Sequence, residues 1–237
     1  MKTNIPLIVH YCWMSNDAWD NKTKKCYNSW KKLIPEYDYM LWNSQTLPQE
    51  VMEIKTVKNA IKAKKWAFVA DYVRIWALYN YGGLYMDLDV ELLKKPNSLF
   101  NSDIIFGLES TQIGALFIAA IPKHEFIGYV LEELKNKTNF MPLPQFISLC
   151  YKNYYNKSIS VGKYNGISIL ENEYFNPFLW NAETQKGKLN ITPNTYCIHW
   201  YAGSWIPKYK KSPIYKLIIK ILKLTHILPI FRNLRGY

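Results

Sequence analysis

Phe68–Glu91 reads FVADYVRIWALYNYGGLYMDLDVE, and the fold class turns on this stretch. Trp66–Tyr81 is apolar almost all round, which predicts a largely buried helix ending at Gly82–Gly83. Leu84–Asp87 then predicts a short strand with carboxylates at its C-terminal end. A strand period of two sends Asp87 and Asp89 to one side and Leu88 to the other. Two carboxylates at a strand end suit a hard divalent cation such as Mg²⁺ or Mn²⁺, especially one shared with phosphate oxygens. Open α/β sheets bind ligands beyond the carboxyl ends of their strands, so the pair marks a candidate site. An Asp-x-Asp by itself is also what a solvated turn looks like.

Upstream, Asp71 and Arg74 lie three apart on the predicted helix and share a face. An ordinary surface ion pair has the same spacing. On an otherwise hydrophobic helix, however, charges are costly unless they have partners or a task. The chain uses 27 Lys and three Arg, and Arg74 is the only Arg before residue 232. Spending one here points to planar, bidentate hydrogen bonding, which Lys cannot supply.

Around this centre, Ile5–Tyr11 and Tyr37–Trp42 predict strands, with a helix over Lys22–Lys32 between them. Gln49–Lys62 has the apolar spacing of one helix. Ile104–Leu108 and Ala115–Ala120 predict further strands, Lys123–Leu134 a helix, and Tyr196–His199 a late strand. From Phe140 to Gln185, Pro, Asn and Tyr leave no ordered pattern. Strands alternating with helices in the first half predict an α/β sheet.

With 237 residues, 49% of them hydrophobic and 16% aromatic, the chain can bury a core and is not disordered. Its net charge of +12 is unevenly spread. Residues 208–237 hold six Lys, two Arg and no acid, or +8, leaving 22 cations against 18 acids, or +4, on residues 1–207. This predicts a near-balanced domain over 1–207 and a basic tail over 208–237. Scarcity of Arg argues against a nucleic-acid partner. The tail reads SPIYKLIIKILKLTHILPIFRNLRGY from Ser212, with Lys216, Lys220 and Lys223 on one helical face. That pattern fits an interfacial amphipathic helix on anionic lipid, and equally a helix docked on the core or a dimer contact. Cys12, Cys26, Cys150 and Cys197 form no CxxC pair and are expected to be reduced thiols. The N-terminal apolar run is too short for a signal peptide, so the Asn-x-Ser/Thr matches at Asn21, Asn136, Asn156 and Asn190 carry no weight. No run of 18 uncharged apolar residues is present. The expected location is cytoplasmic, at the inner face of a membrane.

The pattern Asp71-Tyr72-Val73-Arg74, Leu78-Tyr79-Asn80-Tyr81-Gly82-Gly83, Asp87-Leu88-Asp89 closely resembles the DXD-containing, sugar-binding glycosyltransferases. That family includes the yeast initiating α-1,6-mannosyltransferase and many bacterial capsule enzymes. The glucosyltransferase domains of large clostridial toxins are more remotely similar. The opening IPLIVHYCW with Trp13 and the closing IHWYAGSW with His199, Ser204 and Trp205 match the same family. The resemblance implies a GT-A fold, a Rossmann-like α/β sandwich that binds a nucleotide-sugar donor and Mn²⁺ or Mg²⁺. It implies that Asp87, Asp89 and His199 hold the metal and that Asp71 and Arg74 hydrogen-bond the donor sugar. Trp13 is expected to stack on the nucleobase, with Ser204 and Trp205 closing over the diphosphate. Leu88 stands where Thr is common, Ala70 where Ser is frequent, and Gln112 near where many relatives carry Asn.

The resemblance therefore implies a metal-dependent hexosyltransferase of bacterial surface polysaccharide assembly, using a UDP- or GDP-sugar and a glycan or lipid-linked acceptor. The resembled family as a whole is retaining, which implies retention here, and with no carboxylate nucleophile at a set spacing same-face substitution is the expected route. A catalytically silent sugar- or membrane-binding module, or a protein-modifying glucosyltransferase, is the alternative.

Overall fold

The computed structural model of the chain describes residues 4–14, 17–137, 141–178 and 189–201. The tail over 208–237, its boundary with 1–207, and Ser204 and Trp205 lie outside the described residues. The first half follows the predicted alternation: β1 (Ile8–Cys12), α1 (Asn21–Leu33) and β2 (Asp38–Trp42). Asp20 caps α1, its carboxylate accepting from the Thr23 backbone N–H at 2.8 Å.

Gln49–Lys62 is not one helix. It divides into α2 (Gln49–Glu53) and α3 (Lys55–Lys62) at Ile54, whose ψ of 127° is extended. Val51 and Val57 are both buried, yet six residues apart they would face directions about 120° apart on a continuous helix. The break turns both inward.

Next come α4 (Trp66–Tyr81), β3 (Gly83–Met86), β4 (Val90–Leu92), β5 (Ile104–Glu109), β6 (Gln112–Ala120) and α5 (Glu125–Lys135). The described part of the patternless stretch, residues 141–178, holds α6 (Leu143–Tyr155), β7 (Gly162–Tyr164), β8 (Ile167–Leu170) and α7 (Asn172–Phe175). Pro142 and Pro144, which look like helix breakers, stand at the start of α6, where a missing N–H costs nothing. Asn165 and Gly166, both at positive φ, make the two-residue turn of the β7–β8 hairpin. Finally, β9 (Cys197–His199) is the late strand.

Seven strands form one sheet in the order β2-β1-β3-β6-β5-β8-β7. β1 runs parallel to β2 and β3, while β6 is antiparallel to both β3 and β5. Alternation along β3 sends Tyr85 into the core on one face, with Val73 and Ile75 of α4, and Leu84 and Met86 into the core on the other, with Trp30. β6 bulges: Phe106 faces Ile118 but Leu108 faces Ile113. Separately, β4 and β9 pair as a two-stranded antiparallel ribbon. Trp30 of α1 donates its indole N–H to the Val90 carbonyl at 2.7 Å and ties the ribbon to the rest. No helix among the described residues is long and apolar enough to cross a membrane.

Candidate functional site

Asp87, Leu88 and Asp89 form a turn between β3 and β4 rather than a continuation of the strand. The Val90 N–H donates to the Asp87 carbonyl at 2.9 Å and closes it. The carboxylates converge nonetheless, and Leu88 is buried in the core away from them. In the ribbon register Val90 faces His199, and the Trp200 N–H donates to the Asp89 carbonyl at 3.0 Å. That pairing brings a histidine from far along the sequence beside the turn.

Ligand atoms of Asp87, Asp89 and His199 all lie within 4.8 Å of one another, with His199 Nε2 3.2 Å from Asp89 Oδ1. Two carboxylates and one imidazole suit Mn²⁺ more closely than Mg²⁺, because imidazole is a borderline ligand that Mg²⁺ rarely takes. The three residues therefore fit the divalent ion expected of them. Burial pulls the His199 imidazole toward neutrality, but Asp89, Asp87 and Glu109 outweigh it and hold its pKa above the ordinary value. Burial raises the Asp87 carboxyl, and Arg74 opposes the rise.

Arg74 is committed to the protein. Nη2 lies 3.1 Å from Asp71 Oδ1, and Nη1 lies 3.3 Å from Asp87 Oδ1 and donates to the Ala115 carbonyl at 2.6 Å. The β6 bulge makes this possible, since Ala115 falls inside the register irregularity. The Tyr85 ring lies 4.5 Å beneath the guanidinium, and the Tyr85 hydroxyl donates to Asp87 at 3.0 Å. Arg74 thus grips the helix, the bulge and the DXD turn together, with 8% of its side chain exposed. These contacts make it first a positioning residue, with a sugar contact resting on the resemblance alone. Asp71 also lines a cavity of about 620 Å³, with Lys55, Lys62, Phe68, Tyr72 and Lys137 around it. Burial raises the Asp71 carboxyl to about 6, against the pull of Arg74 and Lys137.

Trp13 follows β1 and Asp87 follows β3, and because these strands are parallel neighbours both leave the sheet at the same edge. The Trp13 indole N–H donates to the Asp17 carbonyl at 2.9 Å, and its ring meets Trp19 edge-on at 6.4 Å. All four cysteines are free.

Residues 20–105 match the family described as the glycosyltransferase sugar-binding region containing the DXD motif. That match covers 86 of the 237 residues, so the chain is similar to the family over little more than a third of its length. Among curated proteins, it is 26% identical to mannosyl phosphorylinositol ceramide synthase CSH1 of Saccharomyces cerevisiae, over 63% of this chain and 43% of the relative. It is 32% identical to inositol phosphoceramide mannosyltransferase 3 of Schizosaccharomyces pombe, over 36% of this chain and 24% of the relative. The chain spans less than half the length of these relatives. Among solved structures, the PaToxG glycosyltransferase superposes with a TM-score of 0.54 at 17% identity, over 64% of this chain and 70% of that one. The fold is the GT-A type α/β fold. The matched DXD region holds Asp71, Arg74, Asp87 and Asp89, while Trp13 and His199 lie outside it.

Three neighbours of the site escape a reading of the sequence: Tyr85, Glu109 and Tyr201. Glu109 had a signal, because it is a carboxylate at the end of a strand, one residue beyond the predicted limit of Leu108. Burial raises its carboxyl, with His199 opposing. The Tyr201 ring lies 4.0 Å from the His199 ring, tilted by 43°, and Tyr201 hydrogen-bonds Glu109.

Proposed function

We propose that this chain is a metal-dependent glycosyltransferase that moves a hexose from a nucleoside-diphosphate sugar to a glycan or lipid-linked glycan acceptor. The observation that carries this reading is the convergence of Asp87, Asp89 and His199 beside the Arg74–Asp71 pair. Asp87, Asp89 and His199 would hold a divalent ion, which would supply charge neutralisation for the departing nucleoside diphosphate. Arg74 holds Asp87 in place, so little reorganisation of the site is required. Asp71 accepts hydrogen bonds from donor-sugar hydroxyls, the lysines of its cavity attract the anionic donor, and Trp13 offers a ring for the nucleobase. Ser204 and Trp205 close over the diphosphate. The names of the curated relatives make mannose the first donor sugar to test.

The reaction breaks the bond from the sugar C1 to the diphosphate oxygen and forms one from C1 to the acceptor oxygen. Retention is the stereochemical reading, the acceptor proton passing to the departing diphosphate on the same face; a product of inverted configuration by NMR overturns it. The biological setting proposed is bacterial surface polysaccharide assembly at the cytoplasmic face of the membrane, with 1–207 as the catalytic domain. The tail over 208–237 is proposed as its anionic-lipid anchor, and undiminished liposome binding after its deletion overturns that role.

The deciding experiment is hydrolysis of a panel of UDP- and GDP-sugars with Mn²⁺. Turnover abolished by EDTA and by Asp89→Asn supports the reading. Absence of both turnover and metal-dependent donor binding favours a silent binding module instead.

A further inference from the structure

A second cavity, of about 340 Å³, opens beside the metal residues, with Glu109, Gln112, Pro142, Pro144, Asn176 and Tyr201 among its lining. It is a built site. The β5–β6 turn that carries Glu109 is clamped by Asn172, whose amide accepts from the Ser110 N–H at 2.8 Å and donates to the Ser110 carbonyl at 3.0 Å. Asn176 donates to the Tyr201 hydroxyl at 2.5 Å, and Tyr201 in turn hydrogen-bonds Glu109. Asn176 is 1% exposed, and its side-chain carbonyl oxygen has no hydrogen-bond partner among the described residues. A buried acceptor without a donor is costly, and here it belongs to a residue lining a polar cavity.

The chemistry of the lining selects the ligand. Glu109, a carboxylate in the lining, calls for donors, as hydroxyl groups are. Pro142 and Pro144 add an apolar wall suited to the C–H face of a saturated ring. No cation lines this cavity among the described residues, whereas lysines line the cavity at Asp71. A phosphate or carboxylate here would meet Glu109, with Asp87 and Asp89 close by through His199 and Tyr201. The volume lies at the small end of ligand pockets and suits a single ring.

We infer that this cavity is the acceptor subsite, taking one neutral, polyhydroxylated ring, a hexose or a cyclitol, with Glu109 accepting hydrogen bonds from its hydroxyls. The assignment rests on the glycosyltransferase reading. Glu109 is then the specificity-determining residue for the acceptor, and Tyr201 positions it.

The test is ring binding to the full chain with Mg²⁺, followed by saturation-transfer NMR. The probes are methyl gluco-, manno- and galactopyranosides and myo-inositol, each beside its monophosphate. At least one neutral ring binds, its monophosphate binds at least about tenfold more weakly, and the arm that binds says whether the ring is a hexose or a cyclitol. Glu109→Gln, nearly isosteric and uncharged, weakens Kd about tenfold or more, and Tyr201→Phe weakens it less. The inference is overturned if no neutral ring binds, if the monophosphate binds more tightly, or if both variants stay within about twofold of wild type. Donor hydrolysis in the same preparation separates the two failures. Hydrolysis without ring binding sinks the subsite alone, and ring binding with neither hydrolysis nor metal-dependent donor binding sinks the glycosyltransferase reading.

Discussion

The guanidinium of Arg74 bridges Asp71, at 3.1 Å, and Asp87, at 3.3 Å, so one buried cation joins the helix carboxylate to the DXD turn. Lysine cannot satisfy both carboxylates and the Ala115 carbonyl from one plane. Arg74→Lys is therefore expected to weaken Mn²⁺ binding about tenfold or more by calorimetry. Arg74→Ala leaves two half-buried carboxylates without their cation and is expected to cost ~3 kcal/mol in urea unfolding. Unchanged Mn²⁺ affinity in the Lys variant would show that Arg74 does not position the site.

Metal binding should also be visible as stability. A ligand that binds only the folded chain, at about 100 times its Kd, stabilises it by ~2.7 kcal/mol. Mn²⁺ should therefore raise the melting temperature, and His199→Ala, which removes the nitrogen ligand, should abolish most of the rise. The same rise in wild type and variant would take His199 out of the metal site.

His10 reports on acid stability away from the site. Its Nε2–H donates to the Gly82 carbonyl at 2.8 Å, while Nδ1 accepts from the Trp42 indole at 3.2 Å, so both nitrogens are engaged by the neutral ring. Burial lowers its pKa to about 4, against the Gly82 hydrogen bond. Because the folded pKa lies below the unfolded value of about 6.5, the unfolded chain takes up the proton first as pH falls. Stability is lost from about pH 6.5 downward, and the loss levels off below pH 4, where both states are protonated. Between pH 7 and pH 5 the contribution of His10 is a loss of ~2 kcal/mol. Urea unfolding at both pH values checks it, and His10→Gln should show a shallower fall than wild type. Parallel falls would remove His10 as the cause.

The residues that carry short-range patterns were legible in the sequence, and those joined across the fold were not. The α4–β3 unit could be read because its helix is apolar and Gly82–Gly83 marks its end. The region after Phe140 could not, because the prolines of α6 read as breakers when they are helix starters, although Asn165-Gly166 was a usable turn signal. Among the candidate site residues, helix spacing singled out Asp71 and Arg74, which the structure brings within 3.1 Å of each other. Asp87 and Asp89 were found by the right pattern and the wrong backbone, since a turn brings them together. No spacing rule could place His199 at the site, because its position depends on β4–β9 pairing, and only the motif around it pointed there. The grip of Ala115 on Arg74 depends on a bulge that local sequence does not announce.

Gly82 tests how tightly the helix-to-strand corner that sets up the DXD turn is built. Its φ is +64°, and an added Cβ would lie 2.6 Å from the backbone nitrogen of Pro122 and 2.9 Å from the Pro6 ring. Neither proline can swing aside. Gly162 provides the control, with φ at +123° and open space where a Cβ would go. Alanine at either position incurs backbone strain of ~1–3 kcal/mol. At Gly82 the steric conflict adds ~1–3 kcal/mol, and any shift of its carbonyl disturbs the His10 hydrogen bond. Gly82→Ala is thus expected to destabilise the chain more than Gly162→Ala in urea unfolding, and to weaken Mn²⁺ binding where Gly162→Ala does not. Equal losses in the two variants would mean that the corner relaxes, and the DXD turn would then be held chiefly by Arg74 and the β4–β9 ribbon.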